Sequence, residues 1–191
     1  MLKQLTFLDY GVAATQEEFL KESIINRKNI IITGNKNSGK TSFLNVCLNE
    51  LKNKDLRVVT IDDKDELICP AINTTKGQIN SEYSAITLIR AYLKMKPDYV
   101  ILGEVSNANE FFELLKAWNS GHSGMTTYPM TDLVNKLYSY SKMDFMQDTF
   151  QSLISNTVNI VVEMKDKKVK EIKEIIGYKK DLRESIYKNI I

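Results

Sequence analysis

The sequence is short of the residues that build metal centres. It contains one histidine, His122, and two cysteines, Cys47 and Cys69, all well separated. A structural zinc site needs about four such ligands in close spacing, so zinc is excluded by shortage. Two isolated thiols fit a reducing cytosol better than a disulfide framework. Long apolar runs are also lacking, and no stretch approaches the roughly 20 residues that span a bilayer. The leading segment has no sustained apolar core followed by a small-residue cleavage site, so no signal peptide is expected. Charge of one sign is lacking too. Lys+Arg number 26 against 24 Asp+Glu, a net +2 with a pI near 8.4, which argues for neither nucleic acid nor a membrane surface. Lysines gather between Lys165 and Lys180, but Glu163, Glu171 and Glu174 lie alongside, the pattern of a solvated face. There is no internal repeat, low-complexity tract or Gly/Ser linker. The chain is therefore expected in the cytoplasm, free or held at the inner face of the membrane through partners.

What remains is an ordinary composition for one folded domain, 43% hydrophobic and 26% charged over 191 residues. Short strands and helices alternate along it. Thr15 followed by Glu18 reads as a capping box opening a helix from Gln16 to Arg27. Asn29 to Thr33 is a β-branched run typical of a buried strand, followed by a helix from Lys40 to Leu51. Leu56 to Ile61 is a second strand, and Cys69 to Gly77 has the Pro, Asn and Thr density of a loop. Ser84 to Met95 is helical by period, Tyr99 to Leu102 is a third strand, and Asn107 to Trp118 is an amphipathic helix. A strand at Met125 to Thr127, a helix near Leu133 to Tyr140, and a hairpin of Val158–Met164 and Val169–Ile176 across Asp166-Lys167-Lys168 complete the reading. The order predicts an α/β fold: a mostly parallel sheet flanked by helices, with an antiparallel C-terminal hairpin. Residues 1–28 are read as a lead-in with a helix, 29–178 as the core, and 179–191 as a basic tail.

Gly34-Asn35-Lys36-Asn37-Ser38-Gly39-Lys40-Thr41 matches the phosphate-binding loop G-x-x-x-x-G-K-[ST], with a strand before it and a helix after it. Glycines let backbone N–H groups curl inward, and the helix N-terminus adds its positive dipole end, so phosphate is cradled. Lys40 would reach the β- and γ-phosphates of ATP, the Thr41 hydroxyl would ligate Mg²⁺, and Ser42 adjoins the nucleotide-binding set. The strand Tyr99 to Gly103 ends in Glu104, where an acid can stand beside the metal and orient water for in-line attack. Asp62, Asp63, Asp65 and Glu66 cluster at the end of the second strand, the edge where open α/β sheets bind ligands, and read equally as metal-linked or as a solvated turn. His122 lies in a Gly-rich turn and reads equally as a structural residue or a phosphate sensor. Phe111, Phe112, Leu114, Leu115 and Trp118 read as core.

Four segments in this order resemble the hexameric traffic ATPases of type II and type IV secretion, type IV pili and conjugation, in particular the TrbB/CpaF branch. They are the loop at Gly34 to Thr41, the aspartate box Ile61 to Leu67, the strand Ile101-Leu102-Gly103-Glu104, and the histidine box starting at Gly121-His122. The run from Leu88 to Asp98 is similar to that family's approach to its acidic strand, and Asn119-Ser120-Gly121-His122 to its N-T-G-H turn. The resemblance implies a RecA-like P-loop NTPase fold, ATP and Mg²⁺ as ligands, and a homo-oligomer, expected as a hexameric ring, working with membrane-embedded secretion or pilus proteins and without direct nucleic-acid binding. It implies Glu104 as catalytic glutamate and metal neighbour, Glu66 and Asp62 arranging metal and water, and His122 near the γ-phosphate. Arg90, one of four arginines with Arg27, Arg57 and Arg183, would be the charge supplied in trans.

Three departures stand against that pattern. Only some 28 residues precede the first core strand, which implies a chain without the usual N-terminal domain. The histidine box, normally ending T-x-H, reads Thr127-Tyr128-Pro129, and the aspartate box opens on Asp62 where Glu is usual. Two functions are therefore carried forward: an ATP-hydrolysing motor subunit of such a machine, and a hydrolysis-impaired regulatory or assembly subunit. A P-loop kinase or DNA-processing ATPase is the third, disfavoured by the absence of an arginine-rich lid and of a basic stripe.

Overall fold

The computed structural model describes residues 5–129, 153–179 and 184–191. A short 3₁₀ helix, Phe7–Tyr10, leads into α1 (Ala14–Ile25), β1 (Ile30–Gly34) and α2 (Lys40–Asn49). Then come β2 (Arg57–Asp62), β3 (Asn73–Gln78), α3 (Ala85–Leu93), β4 (Tyr99–Glu104), α4 (Ala108–Asn119) and β5 (Met125–Tyr128). The chain closes with β6 (Ile160–Lys165), β7 (Lys168–Lys179) and β8 (Glu184–Asn189). One eight-stranded sheet runs in the order β3-β2-β4-β5-β1-β6-β7-β8. Pairings from β3 through β6 are parallel, and β6, β7 and β8 pair antiparallel, as the sequence predicts for the core and the terminal hairpin.

Every residue of β1 is buried, because helices cover both faces of the sheet at its centre. One face packs Ile30, Ile32, Phe43, Leu44 and Leu48 against the 3₁₀ helix, α1 and α2. The other packs Ile31, Val100, Leu102, Phe111, Leu114 and Trp118 with α3 and α4, so the aromatic residues of α4 are core. Burying each such side chain is worth about 1.5–3 kcal/mol. Tyr99 is fully buried and its phenol donates to the Ile24 carbonyl, tying β4 to the end of α1.

Three local expectations are corrected. α1 starts at Ala14, with the Ala13 amide donating to Gln16 Oε1 at 3.1 Å. Thr15 is no cap: it already lies inside the first turn, where its hydroxyl donates to the Ile191 carbonyl at 3.3 Å. Asn73–Gln78 is a strand where a loop was expected; as an edge strand it exposes much of its side-chain surface and carries no apolar alternation, yet it pairs with β2 along its whole length. Within 179–191, Glu184–Asn189 adds β8 to the sheet instead of a plain tail. The helix expected near Leu133 to Tyr140 lies outside the described residues.

Candidate nucleotide-binding site

β1 delivers the chain to the C-terminal edge of the sheet at Gly34. A Cβ on Gly34 would lie 2.5 Å from both the Met164 carbonyl and Ser38 Oγ, so the loop can close tightly only with glycine there. The loop then curls back, with Asn37 at φ 63° and the Ser38 amide donating to the Asn35 carbonyl at 3.2 Å. Gly39, in the left-handed region, caps α2, whose first turn closes with the Phe43 amide on the Gly39 carbonyl at 2.9 Å. Lys40 is 5% exposed, and its Nζ donates to the Asn35 carbonyl at 3.0 Å across the mouth of the loop. Burial lowers the pKa of this ammonium, and the charge of Glu104 works against that lowering. An anion held at the loop would supply the counter-charge that burial makes expensive to omit.

Ser38 Oγ gives the sharpest sign of a ligand. It is buried, 5% exposed as a residue, and has no hydrogen-bond partner among the described residues. Buried hydroxyls are rarely left unpaired. An orphaned donor inside a glycine-tightened loop, at the N-terminus of a ten-residue helix, fits a phosphate group. Thr41 is half-buried and Asn35, Lys36, Asn37 and Ser42 are exposed, so the outer loop is open to a ligand.

The acidic partners come from the neighbouring strands. Glu104 ends β4 exposed, next to a register shift between Leu102 and Glu104 in the pairing with β5. The Thr127 hydroxyl donates to the Gly103 carbonyl at 2.7 Å and fixes that irregularity, which re-aims the strand end. A Cβ on Gly103 would come within 2.8 Å of Asp62 Cβ, so glycine lets the aspartate box lie against the acidic strand. Asp62 Oδ2 accepts from the Glu66 amide at 2.8 Å and the Leu67 amide at 3.0 Å, folding the acidic turn back on itself. The Glu66 side chain is left exposed.

The structure thus brings Gly34 through Ser42, Glu104, Asp62 and Glu66 to one edge of the sheet. Two expected residues are not there. His122 precedes β5, which runs parallel to β1 with Ile30 opposite Met125, so His122 lies at the N-terminal ends of the strands while Gly34 lies at the C-terminal ends. Its Nδ1 donates to the Pro97 carbonyl at 2.7 Å, beside the Arg27–Asp98 ion pair at 2.8 Å. The expectation of His122 near the γ-phosphate is corrected for the chain's own loop, since the sheet stands between them. Arg90 lies on α3, with its guanidinium bidentate on Glu113 of α4 at 2.8 and 2.9 Å. It too is away from this loop.

Sequence reasoning missed Asn45. From α2 its Nδ2 donates to the Glu66 carbonyl at 2.8 Å and its Oδ1 accepts from the Ile68 amide at 2.9 Å. One helix therefore carries both the loop lysine and the clasp on the acidic turn. The only sequence signal was a polar residue in the middle of the apolar run from Phe43 to Leu48. Tyr10 was missed as well: its ring meets Phe43 edge-on at 5.2 Å, and its phenol is raised in pKa mainly by burial, with the Ser42 side chain opposing the shift.

Known proteins resemble the chain in sequence and in fold. The conjugal transfer protein TrbB of Rhizobium radiobacter is 30% identical over 173 residues, covering 86% of this chain and 53% of its own. Among solved structures, the VirB11 ATPase of the Brucella suis type IV secretion system, in complex with sulphate, superposes with TM-score 0.71 at 23% identity, covering 91% of this chain and 57% of that one. The pilus retraction motor PilT with bound ADP gives 0.72 at 16%, covering 99% and 53%. The chain spans about half the length of these relatives. No described helix is long and apolar enough to cross a membrane. Residues 2–188 match the family described as "Type II/IV secretion system protein", and the chain belongs to that family.

Proposed function

We propose that the chain binds Mg-ATP at Gly34–Ser42 and hydrolyses it as a motor subunit of a secretion, pilus or conjugation machine. The observation that carries this reading is the loop itself: a buried Lys40 spanning to Asn35 and an orphaned Ser38 hydroxyl at a helix N-terminus, in a chain of this family. The nucleotide would supply the γ-phosphoryl group, and Mg²⁺ would neutralise charge on the phosphates. Lys40 would bind the β- and γ-phosphates, and the Thr41 hydroxyl would hold the metal. Among the described residues no group of three or more His, Cys, Asp or Glu forms a metal cage. That suits Mg²⁺, which is held by one or two protein groups, phosphates and waters. Glu104 orients water for in-line attack, and Asp62 and Glu66 place the acidic turn beside it.

The reading extends to a homo-oligomeric ring, peripheral at the inner face of the membrane, and for this it rests on membership of the secretion family. In such a ring, His122 and Arg90, which stand away from the chain's own loop, would meet nucleotide only across an interface with a neighbouring copy.

A second reading, a hydrolysis-impaired regulatory or assembly subunit, draws on Pro129 at the position of the second box histidine. Mg-dependent ATP hydrolysis measured across a wide protein concentration range separates the two. Turnover per subunit that rises with concentration and vanishes in Glu104→Gln supports the motor. Saturable binding with no turnover above Glu104→Gln supports the impaired subunit.

A further inference from the structure

The sheet order places β6 beside β1, with Met164 opposite Gly34. The two strands end together, so the β6–β7 turn stands at the same edge as the phosphate-binding loop. That turn is two residues long, Asp166 at φ 50° and Lys167 at φ 58°, the left-handed pair of a tight hairpin. Its position is close: a Cβ on Gly39 would meet Lys167 Cα at 3.5 Å and Lys167 Cβ at 3.7 Å, with Tyr10 Cε1 at 3.6 Å on the other side. The residue that caps α2 is therefore flanked by Tyr10 and by the stem of a lysine.

The turn is also held in place. Lys168 Nζ donates to the Asp9 carbonyl at 2.8 Å, fastening the hairpin to the 3₁₀ helix whose Tyr10 packs on Phe43. Its neighbours are committed, Lys168 to Asp9 and Lys170 to Glu163 at 2.9 Å. Lys167 is exposed, and no partner holds its ammonium among the described residues. A cation is thus presented beside a helix N-terminus that already carries an orphaned, buried Ser38 hydroxyl.

We propose that Lys167 makes a second lysine contact to the nucleotide, on the phosphates nearer the ribose. The inference rests on the nucleotide reading of the loop. The side is set by the sheet order β4-β5-β1-β6-β7, which puts Glu104 on one flank of the loop and the Lys167 turn on the other. Glu104, in the role proposed for it, marks the flank where the γ-phosphate would lie. Lys167 shares its flank with Tyr10 and Ser42. A contact there is common to ADP and ATP.

Titration calorimetry with ADP and with ATP, in Mg²⁺, tests this on the whole chain. Lys167→Gly suits the left-handed backbone and removes the side chain; Lys167→Gln keeps the stem and removes the charge. Both variants are expected to bind ADP and ATP about tenfold more weakly, by the same factor for each, the loss of one charge-assisted hydrogen bond. Lys167→Arg is expected to bind within about twofold of wild type, its charge being kept. Unchanged affinity in Lys167→Gly and Lys167→Gln, or a loss confined to ATP, overturns the proposal while leaving the loop reading intact. A wild-type chain that binds neither nucleotide overturns the loop reading and this contact with it.

Discussion

Asn45 on α2 holds the backbone of Glu66, its amide donating to the Glu66 carbonyl at 2.8 Å while its own carbonyl accepts from Ile68 at 2.9 Å. The acidic turn is thereby fastened to the helix that starts at Lys40. Asn45→Ala removes both bonds and is expected to destabilise the chain by about 1–2 kcal/mol. Amide hydrogen exchange is the specific readout: Ile68 should lose protection while the β1 amides keep theirs. Unchanged exchange at Ile68 would show that the clasp does not hold the turn.

Gly103 permits the contact between the acidic strand and the aspartate box, since a Cβ there would sit 2.8 Å from Asp62 Cβ. Gly103→Ala forces β4 and β2 apart at their ends and is expected to cost about 1–3 kcal/mol as an overpacked site. Hydrolysis should fall with nucleotide affinity nearly unchanged, because the displaced group is Glu104 and not the loop. Equal losses in affinity and turnover would contradict that division.

Lys40 carries an unfavourable burial. Its pKa is lowered in the folded chain below the ordinary 10.5, with desolvation the main cause. The unfolded chain therefore binds the proton more tightly, and nucleotide-free stability rises with pH between the lowered folded value and 10.5. Lys40→Met removes this cost. It is expected to stabilise the nucleotide-free chain by about 1 kcal/mol, a rise of about 2–4 °C in Tm, and to flatten the alkaline part of the stability profile. A lower Tm at neutral pH in Lys40→Met would refute the assignment of strain to this residue.

Glu113 behaves in the opposite sense. Its carboxyl is held below the usual 4.5, first by the Arg90 hydrogen bonds and further by Lys116, against the opposing effect of burial. A depressed carboxylate contributes stability that is present above pH 4.5 and lost as pH falls through the folded value. Urea midpoints from pH 7 down to about pH 3 should therefore drop less steeply in Glu113→Gln than in wild type. Parallel slopes would show that the Arg90–Glu113 pair adds nothing to α3–α4 packing.

The parts legible in the sequence were those dictated locally. The loop at Gly34–Thr41 needs a strand, tight backbone and a helix start in immediate succession, and the residues declare each. β1 and β4 announced themselves as continuous apolar runs because both their faces are covered. β3 did not, since an edge strand with Asn, Thr, Lys and Gln carries its pairing in the backbone alone. Thr15 and Glu18 had the spacing of a capping box, but Gln16 answers Ala13 instead, and nothing local distinguishes the two frames. His122 shows the limit of motif reading most clearly. A residue just before a parallel strand and a residue just after one lie at opposite edges of the sheet, and only the register of β5 on β1 reveals which edge holds the loop. The Asn45 clasp and the placement of Lys167 beside Gly39 were invisible because each is a contact distant in sequence.

The central claim is that Lys40 and its loop hold a nucleotide phosphate. Equilibrium binding of Mg-ATP to the wild-type chain and to Lys40→Ala tests it most directly. Saturable wild-type binding, weakened at least about 100-fold by the substitution, is the predicted result, the size expected when one lysine contacts two phosphates. Equal affinity in the two proteins, or no binding to either, would contradict the account.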